Sequence, residues 1–338
     1  MLAWTMARQK RSGLVPGELA LIEAIRGQAA RTRTSAVRMG IGDDCAVLRP
    51  RAGYEVCVTT DFSLEGRHFR WEWHPPQSVG HRCLARGLSD LAAMGAEPLA
   101  VFLSLAMPAR TRTAWVDGFL EGLLALARRY GVPLAGGDTA ESPDLIAADI
   151  VAVGQVPAGQ GRMRSGARAG DALYVTGALG GAAAGLRVLG QQPSKLRNLK
   201  HAGEVHPHLY PEPRLETGLR LRRIVTAMID ISDGLSTDLT HLCRASGVAA
   251  EIEEAALPVH PLAQAEHDPV GLALHGGEDY ELLFTAPTGT RVPGRIGDVA
   301  VTRIGRVRRP RRGEPLISMR QRDGRMVAVE AAGWEHFT

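Results

Sequence analysis

Hydrophobic and polar positions along this chain follow two rhythms. Short apolar runs alternate with longer stretches whose apolar side chains stand three or four apart. After Pro16-Gly17, Leu19, Leu21, Ile22 and Ile25 supply the apolar side of a helix. Val56-Cys57-Val58-Thr59-Thr60 reads as a strand ending at Asp61. Within residues 78–94, Leu84, Leu88 and Leu91 fall at i, i+4 and i+7, which predicts a helix with Asp90 inside it. Residues 99–107 read as a buried strand and 113–130 as another helix. Val132-Pro133-Leu134-Ala135 then leads into Gly136-Gly137-Asp138, and strand 150–156 ends the first half.

Residues 157–170, rich in Gly, Arg and Pro, predict a linker. A second unit follows, with strands at 173–176, 225–231, 248–252 and 281–284. Its helices open from the small-residue stretch 177–185 and from 235–245, where Leu235, Leu239 and Leu242 share a face. Strands alternating with helices predict an α/β or α+β fold. The chain has 338 residues, enough for two α/β domains with separate cores. The expected boundaries are a flexible extension over 1–16, a first domain over 17–157 and a second over 158–338.

Composition narrows the chemistry. The formal charge of 40 − 36 = +4 is too small to argue for nucleic acid or a membrane surface. The arginine run at 303–312 reads as a solvated loop, since it lacks the interleaved aromatics of a base-stacking surface. Cys45, Cys57, Cys83 and Cys243 form no C-x-x-C pair and no zinc-finger spacing. Without a secretory signal or a membrane-length apolar run, they read as reduced, buried thiols of a cytoplasmic protein. Lys10, Lys195 and Lys200 are the only lysines, and no G-x-x-x-x-G-K-[ST] loop is present. Phosphate handling therefore falls to metals, arginine and backbone N–H groups.

Six acidic motifs stand out against this background. They are Gly42-Asp43-Asp44, Thr59-Thr60-Asp61, Ser89-Asp90, Gly136-Gly137-Asp138-Thr139, Asp230-Ile231-Ser232-Asp233-Gly234 and Gly276-Gly277-Glu278-Asp279. Most follow an apolar run, which predicts carboxylates where strands give way to turns. Asp beside Gly is ordinary turn chemistry, but that reading does not reach Asp90 within its helix. Two bare carboxylates about 4 Å apart cost roughly 4 kcal/mol at an effective dielectric of 20. Protons or hard cations must neutralise such a cluster, and Mg²⁺ prefers oxygen ligands of this kind. The set points to metal-dependent chemistry on an anionic substrate. His68, Arg164 and Glu278 are candidates to touch that substrate, against plainer readings as a packed histidine, a solvated linker arginine and a turn residue.

In order, these motifs resemble the thiamine-monophosphate kinase family, within the superfamily of aminoimidazole ribonucleotide synthetase and selenophosphate synthetase. The resemblance rests on Gly40-Ile41-Gly42-Asp43-Asp44-Cys45-Ala46, Thr59-Thr60-Asp61, Gly66-Arg67-His68-Phe69, and Leu88-Ser89-Asp90-Leu91-Ala92-Ala93-Met94-Gly95-Ala96. It continues through Gly136-Gly137-Asp138-Thr139, Arg164-Ser165-Gly166-Ala167, Ile229-Asp230-Ile231-Ser232-Asp233-Gly234, residues 276–282 and Gly333-Trp334-Glu335-His336-Phe337.

The resemblance implies direct, in-line, ATP-dependent phosphorylation of thiamine monophosphate to thiamine diphosphate, with several Mg²⁺ ions and no phosphoenzyme. It implies a metal shell of Asp44, Thr59, Thr60, Asp61, Asp90, Asp138, Asp230 and Asp233, with Asp61, Asp90, Asp138 and Asp233 closest to the chemistry. Gly137, Asp138, Arg164 and Ser232 would handle ATP, and His68, Glu278 and Trp334 would hold thiamine phosphate. It also implies a homodimer paired through the first domain, with the second domain covering the active-site cleft. A sister ATP-dependent synthetase with another acceptor is the alternative, which the Trp334 motif disfavours. Gly87 stands where the family usually has asparagine, and Ala140 where a second threonine is usual. The elementary chemistry agrees, because a phosphate acceptor is already ionised near neutral pH and needs no strong base.

Overall fold

The computed structural model describes residues 17–32, 34–42, 44–191 and 202–334. The expected extension 1–16, Asp43, the three lysines and Glu335-His336-Phe337 lie outside the described residues. The chain divides into two compact units, Met1–Leu88 with Pro98–Gln155, and Ser89–Glu97 with Val156–Thr338.

In the first unit, helix α1 (Glu18–Ala29) buries Leu21, Ile25 and Ala29, spaced four apart. Leu19, expected on that side, is 81% exposed, because two residues are about 200° of helical rotation from Leu21. Strands β1 (Val37–Met39) and β2 (Val47–Leu48) pair antiparallel. A four-stranded sheet follows in the order β3-β6-β4-β5. Its members are β3 (Tyr54–Leu64), β4 (Glu97–Met107), β5 (Leu134–Glu141) and β6 (Ala147–Pro157). Helices α2 (Pro76–Ala93) and α3 (Thr113–Arg129) bury Leu84, Leu88, Phe119, Leu120 and Leu123. Helix α3 is the crossover that the parallel β4–β5 pair requires.

Two strands run further than their apolar runs predict. Asp61 lies inside β3, and Gly136-Gly137-Asp138-Thr139 lies inside β5. Both are edge strands of the sheet, where polar residues fit the pleat without burial. The expectation of turn carboxylates at these two motifs is therefore corrected to carboxylates on strands.

The second unit contains β7 (Asp171–Thr176), α4 (Gly181–Gln191), α5 (Ala202–Leu209), α6 (Leu215–Leu221), β8 (Ala227–Ile231), α7 (Leu235–Ser246), β9 (Ala249–Glu253), α8 (Pro261–Gln264) and α9 (Pro269–His275). Strands β10 (Glu281–Pro287), β11 (Arg295–Ile296), β12 (Val299–Arg308), β13 (Ile317–Arg320) and β14 (Met326–Ala328) complete it. The sheet order is β14-β13-β9-β12-β7-β10-β8, with β11 on β12. Leu235, Leu239 and Leu242 of α7 enter one core with Leu173, Val175, Ile229, Ile231 and Leu283.

Three expectations change here. Arg303, Arg306 and Arg308 belong to strand β12 rather than to a solvated loop, and Arg306 pairs with Glu251 at 2.9 Å. The expected linker is packed in part: Arg164–Gly166 forms a 3₁₀ turn held on α7 by Ser246. That hydroxyl donates to the Arg164 carbonyl at 2.6 Å and accepts from the Ala167 N–H at 3.1 Å. All four cysteines are free and Cys83 and Cys243 are buried, but Cys45 is exposed.

Candidate active site

On the first unit a cavity of about 700 Å³ opens beside α1, β4 and β5. It brings together Asp44, Gly137 and Asp138, with Ile22, Phe102 and Leu105 among its apolar walls. Parallel pairing sets Gly137 opposite Leu103 and Asp138 opposite Ser104. Gly137 has φ +146°, and a Cβ there would stand 1.8 Å from the Leu103 carbonyl oxygen. Only glycine fits, and the bare backbone faces the cavity. Asp138 is exposed, and its Oδ1 accepts the Thr139 N–H at 2.9 Å.

Thr59, Thr60 and Asp61 stand together on β3, outside the lining of this cavity. Thr60 donates to Asp149 at 2.7 Å, a carboxylate the motif reading missed. Arg86, buried on α2, approaches Asp61 Oδ1 at 3.5 Å and donates to the Phe62 carbonyl at 2.8 Å. His68 Nδ1 accepts the Leu64 N–H at 2.9 Å and so closes the turn after β3. At Gly87, a Cβ would lie 3.0 Å from the Ala152 Cβ. Tight helix–sheet contact therefore accounts for glycine at this departure from the family pattern.

In the second unit the turn after β8 is the hub. Asp230 is buried at 3% exposure and accepts the Ser89 hydroxyl at 2.7 Å. Burial and then the Asp90 charge push its carboxyl up to about 7, against the opposing pull of Ser89 and Arg164. Asp90 and Asp230 thus form a carboxylate pair reached from a helix and a strand far apart in sequence. Asp238, one turn into α7, accepts the N–H groups of Ser232, Asp233 and Gly234, each at 3.1 Å. Burial, then Asp230 and Asp233, push Asp238 up to about 8 even though those N–H donors favour its charge.

This turn also gathers the expected substrate groups. The Glu278 N–H donates to the Ser232 carbonyl at 2.7 Å, and the Trp334 N–H to the Asp233 carbonyl at 3.1 Å. Ser232, Asp233, Glu278 and Trp334 therefore share one backbone framework, with the Trp334 ring exposed. Glu278 and Tyr280 hold positive φ of 69° and 50°, sparsely populated for side-chain-bearing residues. Asp279 anchors this loop by accepting the Gly180 and Ala182 N–H groups at 2.6 and 3.0 Å, where α4 begins.

Among the described residues no three His, Cys, Asp or Glu side chains form a group suited to one metal ion. The carboxylates come instead in pairs, Asp44 with Asp138 at the cavity of the first unit and Asp90 with Asp230 in the second. His208, buried and 3.5 Å from Glu278, also escaped the sequence reading. Among the described residues no helix is long and apolar enough to cross a membrane.

The fold and motifs define a class. AIR synthase related protein, N-terminal domain, matches residues 42–156, and AIR synthase related protein, C-terminal domain, matches residues 168–332. Thiamine-monophosphate kinase of Salmonella typhimurium (strain LT2) is 38% identical over 330 residues, covering 95% of this chain and 98% of the relative. The crystal structure of thiamine-monophosphate kinase from Stenotrophomonas maltophilia K279a is 37% identical, with a TM-score of 0.80 over 91% of this chain and 97% of that one. AaThiL complexed with AMPPCP and TMP is 31% identical, with a TM-score of 0.74 over 95% and 97%. The chain belongs to the thiamine-monophosphate kinase family of AIR synthase related proteins.

Proposed function

We propose that this protein transfers the terminal phosphoryl group of ATP directly to the phosphate of thiamine monophosphate, giving thiamine diphosphate and ADP, the last step in making that coenzyme. The observation that carries the reading is 38% identity to a thiamine-monophosphate kinase across 95% of the chain. The similar AaThiL, a complex with AMPPCP and TMP, supports a nucleotide site and a thiamine phosphate site on the same fold.

Mg²⁺ belongs to this reading because every donor at issue is an oxygen. The buried Asp230 beside Asp90 fits it, since a cation there offsets a repulsion that the protein leaves in place. Asp44, Thr59, Thr60, Asp61, Asp90, Asp138, Asp230 and Asp233 would hold the ions. Bound Mg²⁺ supplies charge neutralisation on the phosphate oxygens. The chain's own groups bind and orient. Gly137 offers bare backbone to a phosphate, Arg164 a guanidinium fork, and Ser232 a hydroxyl. Trp334 presents an aromatic face suited to the cationic thiazolium, while His68 and Glu278 complete the thiamine phosphate site. The first domain, 17–157, carries nucleotide, metal and dimer contacts in this reading, and 158–338 completes both substrate sites.

A homodimer and a cytoplasmic location complete the proposal. The dimer is supported by edge strand β3, whose Val56, Val58 and Phe62 are 50%, 65% and 58% exposed. The location is supported by four free cysteines.

Purified protein incubated with MgATP and thiamine monophosphate tests the reading, with product oxidised to its fluorescent thiochrome form. Thiamine diphosphate that appears with Mg²⁺ and not with EDTA is expected. Folded protein that binds MgATP yet yields none would overturn the acceptor and favour a sister synthetase.

A further inference from the structure

We infer that Thr237 is a positioning residue for Trp334, an inference that rests on the thiamine phosphate reading above. Its hydroxyl latches residues 332–334 onto the turn that carries Asp233. Beyond β14 the chain enters the core once more at Val329, whose N–H donates to the Ile317 carbonyl at 3.0 Å. Glu330, Ala331 and Ala332 are then exposed.

Three successive amides follow, and one turn of the fold accepts all three. The Ala332 N–H reaches the Ser236 hydroxyl at 3.5 Å, and the Gly333 N–H donates to the Thr237 hydroxyl at 3.1 Å. The Trp334 N–H donates to the Asp233 carbonyl at 3.1 Å. The first distance is at the limit of hydrogen bonding, so the other two bonds hold the register. Both of their acceptors lie within residues 233–237, where β8 gives way to α7. Gly333 shows how close the approach is. A Cβ there would stand 1.9 Å from the Asp233 carbonyl oxygen and 2.7 Å from Thr237 Oγ1. Only a residue without a Cβ lets the segment lie on this turn.

The Thr237 hydroxyl does not serve its own helix. Gly234 precedes α7 and supplies no side-chain cap, and the Thr237 N–H already donates to the Gly234 carbonyl at 3.0 Å. The bond its hydroxyl accepts comes instead from a residue 96 positions later in the chain. Whatever else the Trp334 ring touches, its Cα is set by the amides of Gly333 and Trp334. With Trp334 48% exposed, the backbone beneath it has a large share in where the aromatic face stands. A ring already in place costs a substrate less ordering on binding. The same helical turn also reaches the other substrate segment. Ser236 Oγ lies 2.9 Å from His275 Nδ1, immediately before the Gly276-Gly277-Glu278 loop.

The test uses Thr237→Val, which keeps the shape and loses the acceptor, and Thr237→Ser, which keeps the hydroxyl. Trp334→Ala and the double variant Thr237→Val/Trp334→Ala complete the set. Hydrogen exchange of the full chain, read by mass spectrometry on the peptide holding residues 332–334, reports the latch without any substrate. Steady-state kinetics for each substrate and calorimetry with thiamine monophosphate report its consequence. Thr237→Val is expected to exchange these amides about tenfold faster. It is also expected to raise KM and Kd for thiamine monophosphate about fivefold, with kcat and KM for ATP within about twofold. Serine is expected to recover most of both effects. In the Trp334→Ala background, Thr237→Val is expected to add less than about twofold, because coupled residues do not contribute independently. Unchanged exchange, no recovery by serine, equal losses for both substrates, or full additivity with Trp334→Ala would overturn the inference. Wild-type protein that neither binds nor turns over thiamine monophosphate would instead overturn the functional reading, and the inference with it.

Discussion

Asp61 and Asp138 are both strand carboxylates, but their neighbours differ, and so do the expected effects of removing their charge. Asp138 is exposed and accepts the neighbouring Thr139 N–H, which an asparagine Oδ1 accepts equally well. Asp138→Asn should therefore lower turnover by orders of magnitude with little change in unfolding free energy. Asp61 faces Arg86, whose side chain is 7% exposed, so Asp61→Asn also strands part of a buried charge. It should lose comparable turnover and in addition roughly 1–3 kcal/mol of stability. Steady-state kinetics and urea unfolding of both variants check this, and ordinary turnover by Asp138→Asn would remove it from the machinery. The acidic motifs were legible because several share one local form, a carboxylate beside glycine near an apolar run. Asp238 and His208 were not. Asp238 looks like any acidic residue in a first helical turn, although its work is to collect three N–H groups from the preceding turn. His208 meets a residue seventy positions away, which no local pattern encodes.

At the scale of elements, α2, α3 and α7 were readable because their apolar stripes keep the helical period through a full core contact. Strand β12 was not, and the reason lies in its register. Pairing with β7 shifts between Arg303 and Gly305, a bulge that inserts an extra residue. Buried positions then include Val301, Ile304 and Val307, three apart, with arginines between them. A period of three hides a strand and makes its arginines look like a charge run. Strand β3 was readable in part, and its exposed face carries a consequence. Val56, Val58, Thr60 and Phe62 point to the same side at the sheet edge, and unpaired edges with apolar faces invite a second chain. Val58→Lys with Phe62→Lys should turn a dimer into a monomer by light scattering after size exclusion, with helix content unchanged. A wild-type monomer, or a variant that stays dimeric, would remove β3 from the interface.

For the whole molecule, the buried carboxylates set how stability should respond to pH and to Mg²⁺. Burial first, and neighbouring carboxylates second, raise Asp230 to about 7 and Asp238 to about 8. In the unfolded chain both lose their protons near the ordinary value of about 4. Between about pH 4 and about pH 8 the folded protein therefore binds protons that the unfolded chain has released, so stability falls as pH rises through this window. Glu251 runs the opposite way. Burial alone would raise it, but Arg306 and Arg320 prevail and hold it below its usual value. Its contribution is lost only as pH drops through the acid range, so it does not offset the fall near neutrality. In EDTA the melting temperature should drop by several degrees from about pH 6 to about pH 8.5. In the proposed function, Mg²⁺ held at Asp90 and Asp230 would stabilise the ionised carboxylates and link its own binding to folding. Millimolar Mg²⁺ should then raise the melting temperature most at the alkaline end and flatten the slope. Thermal melts across this range, with EDTA and with Mg²⁺, read both effects. A flat profile in EDTA would mean that the Asp230 and Asp238 carboxyls titrate near their ordinary value. A slope that Mg²⁺ leaves untouched would mean that the turn after β8 holds protons rather than metal.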